Sequence, residues 1–480
     1  MNYDVVIIGA GPAGLAAAAR LCHFGVKVCV IEAHYRLGGM NSWHHVGGRE
    51  ISTGLHAFTN YYQSGAGGPL GKLLRQLRIK LSDLQLKPQR RSSIRFPSAT
   101  LEFTNDPEFL RQQVAEKFPD QVDGFDRFRA YMKSIDEGEL TLRQSSARDM
   151  MERYITEPLL VDMLFCPAMY YGNPGGVGDG RDAERDRPDM DWLLFCVIWR
   201  CMFETGIGYP AHGMRPLWEA LAERIREDGG DIRMRTRVER LVVRDGRVAA
   251  AVLSTGEEIS GTMFLSSAGG LETQCLLEPN PSSGKVPAGC ISIVEGICLL
   301  DEPPEAAGVA DTIIFYSFED EFRFERPSGL VNDASGVICV PGNYLPFDEN
   351  SENIIKVSQL ASYPVWKALS REAYEFSKQD VGAGMARVLG LFDIAPGKAR
   401  KTERQGKYAI FDDLFTPLTL ERFTLHAEGA MYGSPVKSRT GETACANLFL
   451  MGADQGFHGI VGAMLSGVAM ANLRYFAKHG

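Results

Sequence analysis

The chain has 480 residues, 45% hydrophobic and 23% charged, with a formal net charge of −9. That length supplies cores for two interleaved domains, and the acidic balance excludes nucleic acid as an expected partner. The ten cysteines are scattered without a C-x-x-C pair or zinc spacing, so they read as reduced core residues and no metal is expected.

The apolar run Tyr3 to Ile8 predicts a strand, which breaks into Gly9-Ala10-Gly11-Pro12-Ala13-Gly14 and rises into an Ala-rich helix from Leu15 to Leu21. Gly9 allows the tight turn, Gly11 lets the main chain approach a pyrophosphate, and Gly14 lets helix pack close on strand. A second predicted strand, Val26 to Ile31, ends in Glu32 and Ala33, where an acidic side chain accepts hydrogen bonds from an adenosine ribose. The order strand, turn, helix, strand, acid predicts dinucleotide binding. Because it starts at Tyr3, no signal or transit peptide is expected, and a cytoplasmic location is.

Next come Gly38 and Gly39, followed by Met40. An NAD-only fold has no need of this second glycine pair, whereas in a flavoprotein it lets the backbone pass beside the phosphates and ribityl chain of FAD. His44 and His45 are adjacent on a predicted loop, with no third ligand at metal spacing. Asn173 to Met190, rich in Gly, Asp and Arg, is expected to be a mobile surface loop. Trp192 to Phe203 is apolar all round but too short to span a bilayer. On a helix Trp192, Phe195, Trp199 and Phe203 share one face, which leaves the opposite face to a core, a hydrophobic substrate tunnel or a membrane surface.

Gly206 to Met214 leads into a helix with Pro216 at its start, closed by Gly229-Gly230. Short strands then follow one another, ending with Thr262 to Ser266 before the small residues around Ala268. There is no second G-x-G-x-x-G, so a separate NAD(P)H domain is not expected, and the electron donor or acceptor is left open. At the C-terminus Asn447 to Met451 predicts a buried strand, followed by Gly452-Ala453-Asp454 and by a helix that opens on Gly459, Ile460 and Val461. The positive N-terminus of that helix suits the N1/C2=O edge of a reduced flavin, and Asp454 is placed to bond the ribityl hydroxyls.

These motifs resemble the phytoene desaturase, carotenoid isomerase and retinol saturase group, a branch of the amine-oxidase-like FAD flavoproteins. Thr53-Gly54-Leu55-His56 is similar to the group's flavin-side Thr-Gly-x-His, and Thr416-Pro417 with Gly429-Ala430-Met431-Tyr432-Gly433 to its later segments. The Gly452 to Ala463 block is closer to the retinol saturase form. Where many amine oxidases carry Arg after the glycine pair, Met40 stands here. No lysine is assignable to flavin N5, and Lys437, the only nearby candidate, reads as a solvated loop residue.

The resemblance implies an α/β chain, a glutathione-reductase-type FAD-binding Rossmann domain interleaved with an α+β substrate domain. The FAD domain is expected over 1–82, 204–289 and 418–480, with the backbone around Val238 facing adenine. The substrate domain is expected over 83–203, mainly helical, and 290–417. The activity implied is FAD-dependent desaturation, saturation or isomerisation of a carbon–carbon bond in a long hydrophobic isoprenoid, polyene or related lipid, with peripheral membrane contact. Flavin amine oxidation, or flavin binding without turnover, are the alternatives. His56, His458 and Tyr432 are the candidate proton donors or acceptors, each also readable as a structural side chain.

Overall fold

Two sheets organise the chain. The computed structural model describes residues 2–61, 68–135, 145–172, 189–278, 286–348, 352–401 and 406–477. The first sheet has the strand order Asp231–Arg233, Val28–Ile31, Asn2–Ile8, Glu258–Ser266, Arg247–Leu253, Val238–Arg244 and Leu277–Glu278. The strand Leu448–Leu450 also pairs with Glu258–Ser266. Asn2–Ile8 is parallel to both of its neighbours, Val28–Ile31 and Glu258–Ser266.

Segments from three distant parts of the chain thus share one Rossmann sheet. Helix Pro12–Cys22 is buried along almost its whole length between this sheet and the C-terminal helix Gly459–Met470. The two helices pack closely because Gly467 faces Ala13, and a Cβ there would lie 2.1 Å from the Ala13 carbonyl oxygen. Gly14 plays the same part at the strand, where a Cβ would lie 2.0 Å from the Gly9 oxygen.

The second sheet runs Asp413–Phe415, Ser292–Leu299, Ile354–Ala361, Ser335–Cys339, Ile313–Ser317, Ser92–Arg95 and Thr100–Phe103. Side chains alternate across it as the pleat requires. Ile313 and Phe315 enter a core with helices Pro158–Gly172 and Trp192–Trp199, while Ile314 and Tyr316 enter a core with helix Arg371–Leu391. The segment expected to be mainly helical therefore begins with strands, two of which complete this sheet. Their β-branched and aromatic residues, Ile94 and Phe103 among them, are fully covered only once strands from beyond residue 290 pair with them.

Trp192, Phe195, Trp199 and Phe203 do share a face, with successive ring centroids 5.8, 5.9 and 4.7 Å apart. The loop expected from Asn173 to Met190 lies, up to residue 188, outside the described residues. His44 and His45 sit on a strand, Trp43–Val46, not on a loop. The alternation sends His44 toward Asp413, 3.6 Å away, and His45 outward toward Glu50 at 3.9 Å, so the two cannot share an ion. Among the described residues no cluster suits a metal, and no helix is long and apolar enough to cross a membrane.

Candidate functional site

The residue that follows each of four parallel strands, Gly9, Glu32, Ser267 and Met451, opens onto one cavity of about 660 Å³. This is the crevice beyond the carboxyl ends of the strands, where nucleotides bind in open α/β sheets. One end is lined by Glu32, Ala33, Thr236 and Val238, the other by Gly54, His56, Tyr171, Tyr432 and His458.

Glu32 is preset for a ligand. Its Oε2 accepts from the Ala10 N–H at 2.6 Å and its Oε1 from the His34 N–H at 2.7 Å, which orients the carboxylate. Burial raises its pKa, while the backbone donors at Ala10, His34 and Ala33 act in the opposite direction. Gly11 and Gly39 face each other across the turn, and a Cβ on Gly39 would lie 3.3 Å from the Gly11 Cα. A side chain at either glycine would fill the space between the two turns, both of which line the cavity. Pro12 and Ala13, at the N-terminus of the first helix, also line the cavity.

Of the other residues expected at the cofactor, Met40, Ala268, Gly452, Asp454, Gly459 and Ile460 line the cavity, whereas Gly14, Gly38 and Val461 do not. Gly14 instead packs helix on strand. Gly38, at φ 97°, makes room for Trp218, whose Nε1 would lie 2.6 Å from a Cβ there. Val461 is buried in the core beneath the sheet.

The Asp454 carboxylate is already engaged. Oδ2 accepts from the Gly270 N–H and Oδ1 from the Ser434 N–H, each at 2.6 Å, so it ties three segments together and has less capacity for ribityl hydroxyls than the sequence suggests. Lys437 is not a solvated loop residue: it is largely covered, its Nζ donates to the Tyr432 carbonyl oxygen at 2.5 Å, and it lies 3.8 Å from Asp454. Burial lowers it to about 8 despite that carboxylate.

At the far end, Tyr432 donates to the Tyr170 carbonyl oxygen at 2.5 Å, and burial raises its pKa, so it stays a phenol. His458 stacks on Tyr432 with ring centroids 5.3 Å apart, and burial, together with the nearby Lys437, lowers it to about 3. It is neutral at ordinary pH. The Tyr171 hydroxyl is buried without a hydrogen-bond partner among the described residues, in the wall of the same cavity.

His56 differs. Its Nε2 lies 3.0 Å from Glu295 Oε2, which also accepts from Ser358 Oγ at 3.0 Å. Glu295 is 4% exposed and lines the cavity with His56. Burial alone would raise this carboxyl, but Lys356, His56 and Ser358 hold it down to about 2.

Sequence reading missed Glu295, although an acid in the middle of the apolar strand Ser292–Leu299 was a visible signal. It also missed His426 and Glu272, both of which line the cavity 3.8 Å apart. Burial lowers His426, yet its pair with Glu272 raises it on balance, and the same pair lowers Glu272 against its own burial. Nothing in the local sequence of either residue announces that pairing.

Fold and cavity define a Rossmann-type FAD flavoprotein with an interleaved second sheet, and the glycine cradle, the oriented Glu32 and the unpartnered Tyr171 hydroxyl fit that cofactor. Residues 12–268 match the family described as flavin containing amine oxidoreductase, and the chain belongs to that family. It is 27% identical over 264 residues, 52% of each chain, to the phytoene desaturase (lycopene-forming) of Pseudescherichia vulneris. It is 22% identical over 512 residues, 98% of this chain and 83% of the relative, to prolycopene isomerase 1, chloroplastic, of an Oncidium hybrid cultivar. The matches to that phytoene desaturase and to a diapophytoene desaturase of Methylomonas each span about half the length of the relative.

Among solved structures, an oxidoreductase from Methanosarcina mazei superposes with a TM-score of 0.65 at 17% identity, covering 98% of this chain and 99% of its own. A putrescine oxidase triple mutant gives 0.59 at 14% identity, covering 99% of both chains. At such identities these two likenesses speak for the fold alone.

Proposed function

We propose that this chain is an FAD-dependent oxidoreductase that desaturates, saturates or isomerises a carbon–carbon bond of a long hydrophobic isoprenoid, polyene or related lipid. The observation that carries the reading is the wall at the far end of the cavity. Leu194, Val197, Ile198 and Met202 of the apolar segment 192–204 line it, together with Tyr171 and Ile293. The aromatic face of that segment is spent on the core, so its second face remains for an apolar ligand. The named activities of the desaturase and isomerase relatives agree in acting on polyenes.

FAD supplies two-electron, hydride-level chemistry at such a bond. The chain's part is to hold the adenosine at Glu32 and Val238, pass the diphosphate between Gly11 and Gly39, and keep water from the apolar end. The division into three FAD-binding and two substrate segments, 1–82, 204–289 and 418–480 against 83–203 and 290–417, belongs to the same proposal. So does entry of the lipid from a membrane surface past Val197, which is 41% exposed at the edge of the cavity.

Amine oxidation is the weaker reading. The acid at this end, Glu295, is already paired with His56, and Lys437 does not line the cavity. The deciding experiment is solvent extraction of the purified yellow protein followed by mass spectrometry. A bound polyene or other long hydrocarbon is the expected result, and a polar amine in its place overturns the proposal.

A further inference from the structure

We infer that His56 and Glu295 form a proton-transferring pair at the far end of the cavity, His56 exchanging the proton with the substrate and Glu295 acting as its positioning residue. This rests on the functional reading above and gives that reading its acid–base group.

A carboxylate only accepts hydrogen bonds, so the 3.0 Å contact places the hydrogen of the imidazole on Nε2 and leaves the lone pair on Nδ1. Nδ1 has no partner among the described residues, and the His56 side chain, 17% exposed, lines the cavity. The same logic operates wherever a buried carboxylate orients a histidine for proton transfer.

His56 is held from several sides, backbone as well as ring. The Tyr344 hydroxyl donates to the His56 carbonyl oxygen at 2.9 Å, Cys339 Sγ lies 3.6 Å from the same oxygen, and the Tyr171 ring stands 6.0 Å away edge-on. Glu295 and Ser358 are register partners on adjacent strands, and Lys356 shares the Ser358 face two residues earlier. Lys356 is fully buried, and its Nζ donates to the carbonyl oxygens of Ser52 at 2.7 Å and Leu55 at 3.3 Å. One ammonium thus both balances Glu295 and ties the sheet to the loop that carries His56.

An ionised group buried in an apolar wall is costly, and well-packed apolar side chains would join two elements at least as stably. Its presence beside an open imidazole nitrogen points to chemistry.

The step balances. Desaturation breaks two C–H bonds on adjacent carbons: one leaves as hydride and reduces the flavin by two electrons. The other leaves as a proton to His56 Nδ1, and its bonding electrons form the new C=C bond. Glu295 offsets the imidazolium charge that results. Saturation runs both transfers in reverse.

The test is an anaerobic redox titration of the flavin-loaded protein with dithionite and a dye couple, from about pH 5.5 to 9, a range that brackets ordinary imidazole titration. Wild type is compared with His56→Asn, Glu295→Gln and Glu295→Asp at equal flavin content. The plot of flavin midpoint potential against pH is expected to bend in wild type, to lose that bend in His56→Asn and to bend at a different pH in Glu295→Gln. Glu295→Asp restores it in part.

An identical bend in wild type, His56→Asn and Glu295→Gln overturns the pair. Should those variants fail to fold, Ser358→Ala removes one hydrogen bond to Glu295 without removing a charge, and a bend unmoved in it overturns the pair equally. A wild-type chain that holds no flavin overturns the functional reading and the pair together, whereas flavin present with an unmoved bend overturns only the pair.

Discussion

Gly270 and Asp454 stand 184 positions apart in the chain, and the N–H of the first donates to Oδ2 of the second at 2.6 Å. With Ser434 on the other oxygen and Lys437 at 3.8 Å, this carboxylate joins the end of the Rossmann sheet to two later loops. Asp454→Ala leaves two buried donors without their acceptor and takes the nearby negative charge from the Lys437 ammonium. The expected loss is about 2–4 kcal/mol of stability. It is read by urea denaturation followed through flavin fluorescence, and Asp454→Asn is expected to lose less.

Glu32 is held by two backbone donors before any ligand arrives. Glu32→Ala removes the acceptor for a ribose and the order around it. Flavin affinity is expected to fall about 10–100-fold, equivalent to about 1.4–2.8 kcal/mol. Equilibrium dialysis against FAD checks this, and an unchanged Kd would place the adenosine elsewhere.

A methyl group on Gly467 would press on the Ala13 carbonyl, forcing the first and last helices apart. Gly467→Ala is expected to cost about 1–3 kcal/mol and to lower flavin retention. Gly390→Ala, with nothing within 4 Å of the added carbon, is the control and should change stability by less than about 1 kcal/mol. Thermal melts of the two variants side by side decide it.

Glu295 sits at about 2 against an ordinary 4.5 because Lys356, His56 and Ser358 overcome its burial. A folded-state value below the unfolded one contributes stability that is complete above about pH 4.5 and is lost as pH falls toward 2. Wild type is expected to lose about 3 kcal/mol through this group across that window. In Glu295→Gln that share of the acid slope is absent, which denaturation curves at pH 3 and pH 6 would show.

Leu194 lines the apolar end of the cavity. Leu194→Arg sets an unpaired cation against a hydrocarbon ligand. Co-purified lipid is expected to drop tenfold or more, about 1.4 kcal/mol at least, while the visible flavin spectrum keeps its intensity. Mass spectrometry and absorbance on the same sample separate the two effects.

Much of the cofactor crevice was legible because its signals are local. Gly9, Gly11, Glu32, Gly39 and Gly452 each sit at a strand end or turn that a short window of sequence shows, and all five line the cavity. Lys437 was misread because a polar residue in a Gly- and Ser-rich stretch resembles a surface loop until the Tyr432 carbonyl and Asp454 gather around it. Gly38, expected at the cofactor, does not line the cavity and instead packs against Trp218 and the Asn41 carbonyl, contacts that no local pattern shows. His44 and His45 look like neighbours in sequence, and pleating alone separates them.

By itself the sequence determined the Rossmann crevice, its glycine cradle and the apolar helix beside it, since periodicity and backbone freedom are properties of contiguous residues. Tertiary structure alone decided which polar groups meet: His56 with Glu295 across 239 positions, Asp454 with Gly270, Tyr432 with the Tyr170 carbonyl. The reason is physical. A buried charge is tolerable only beside its partner, and where that partner lies depends on strand register between segments hundreds of residues apart, which no local pattern encodes.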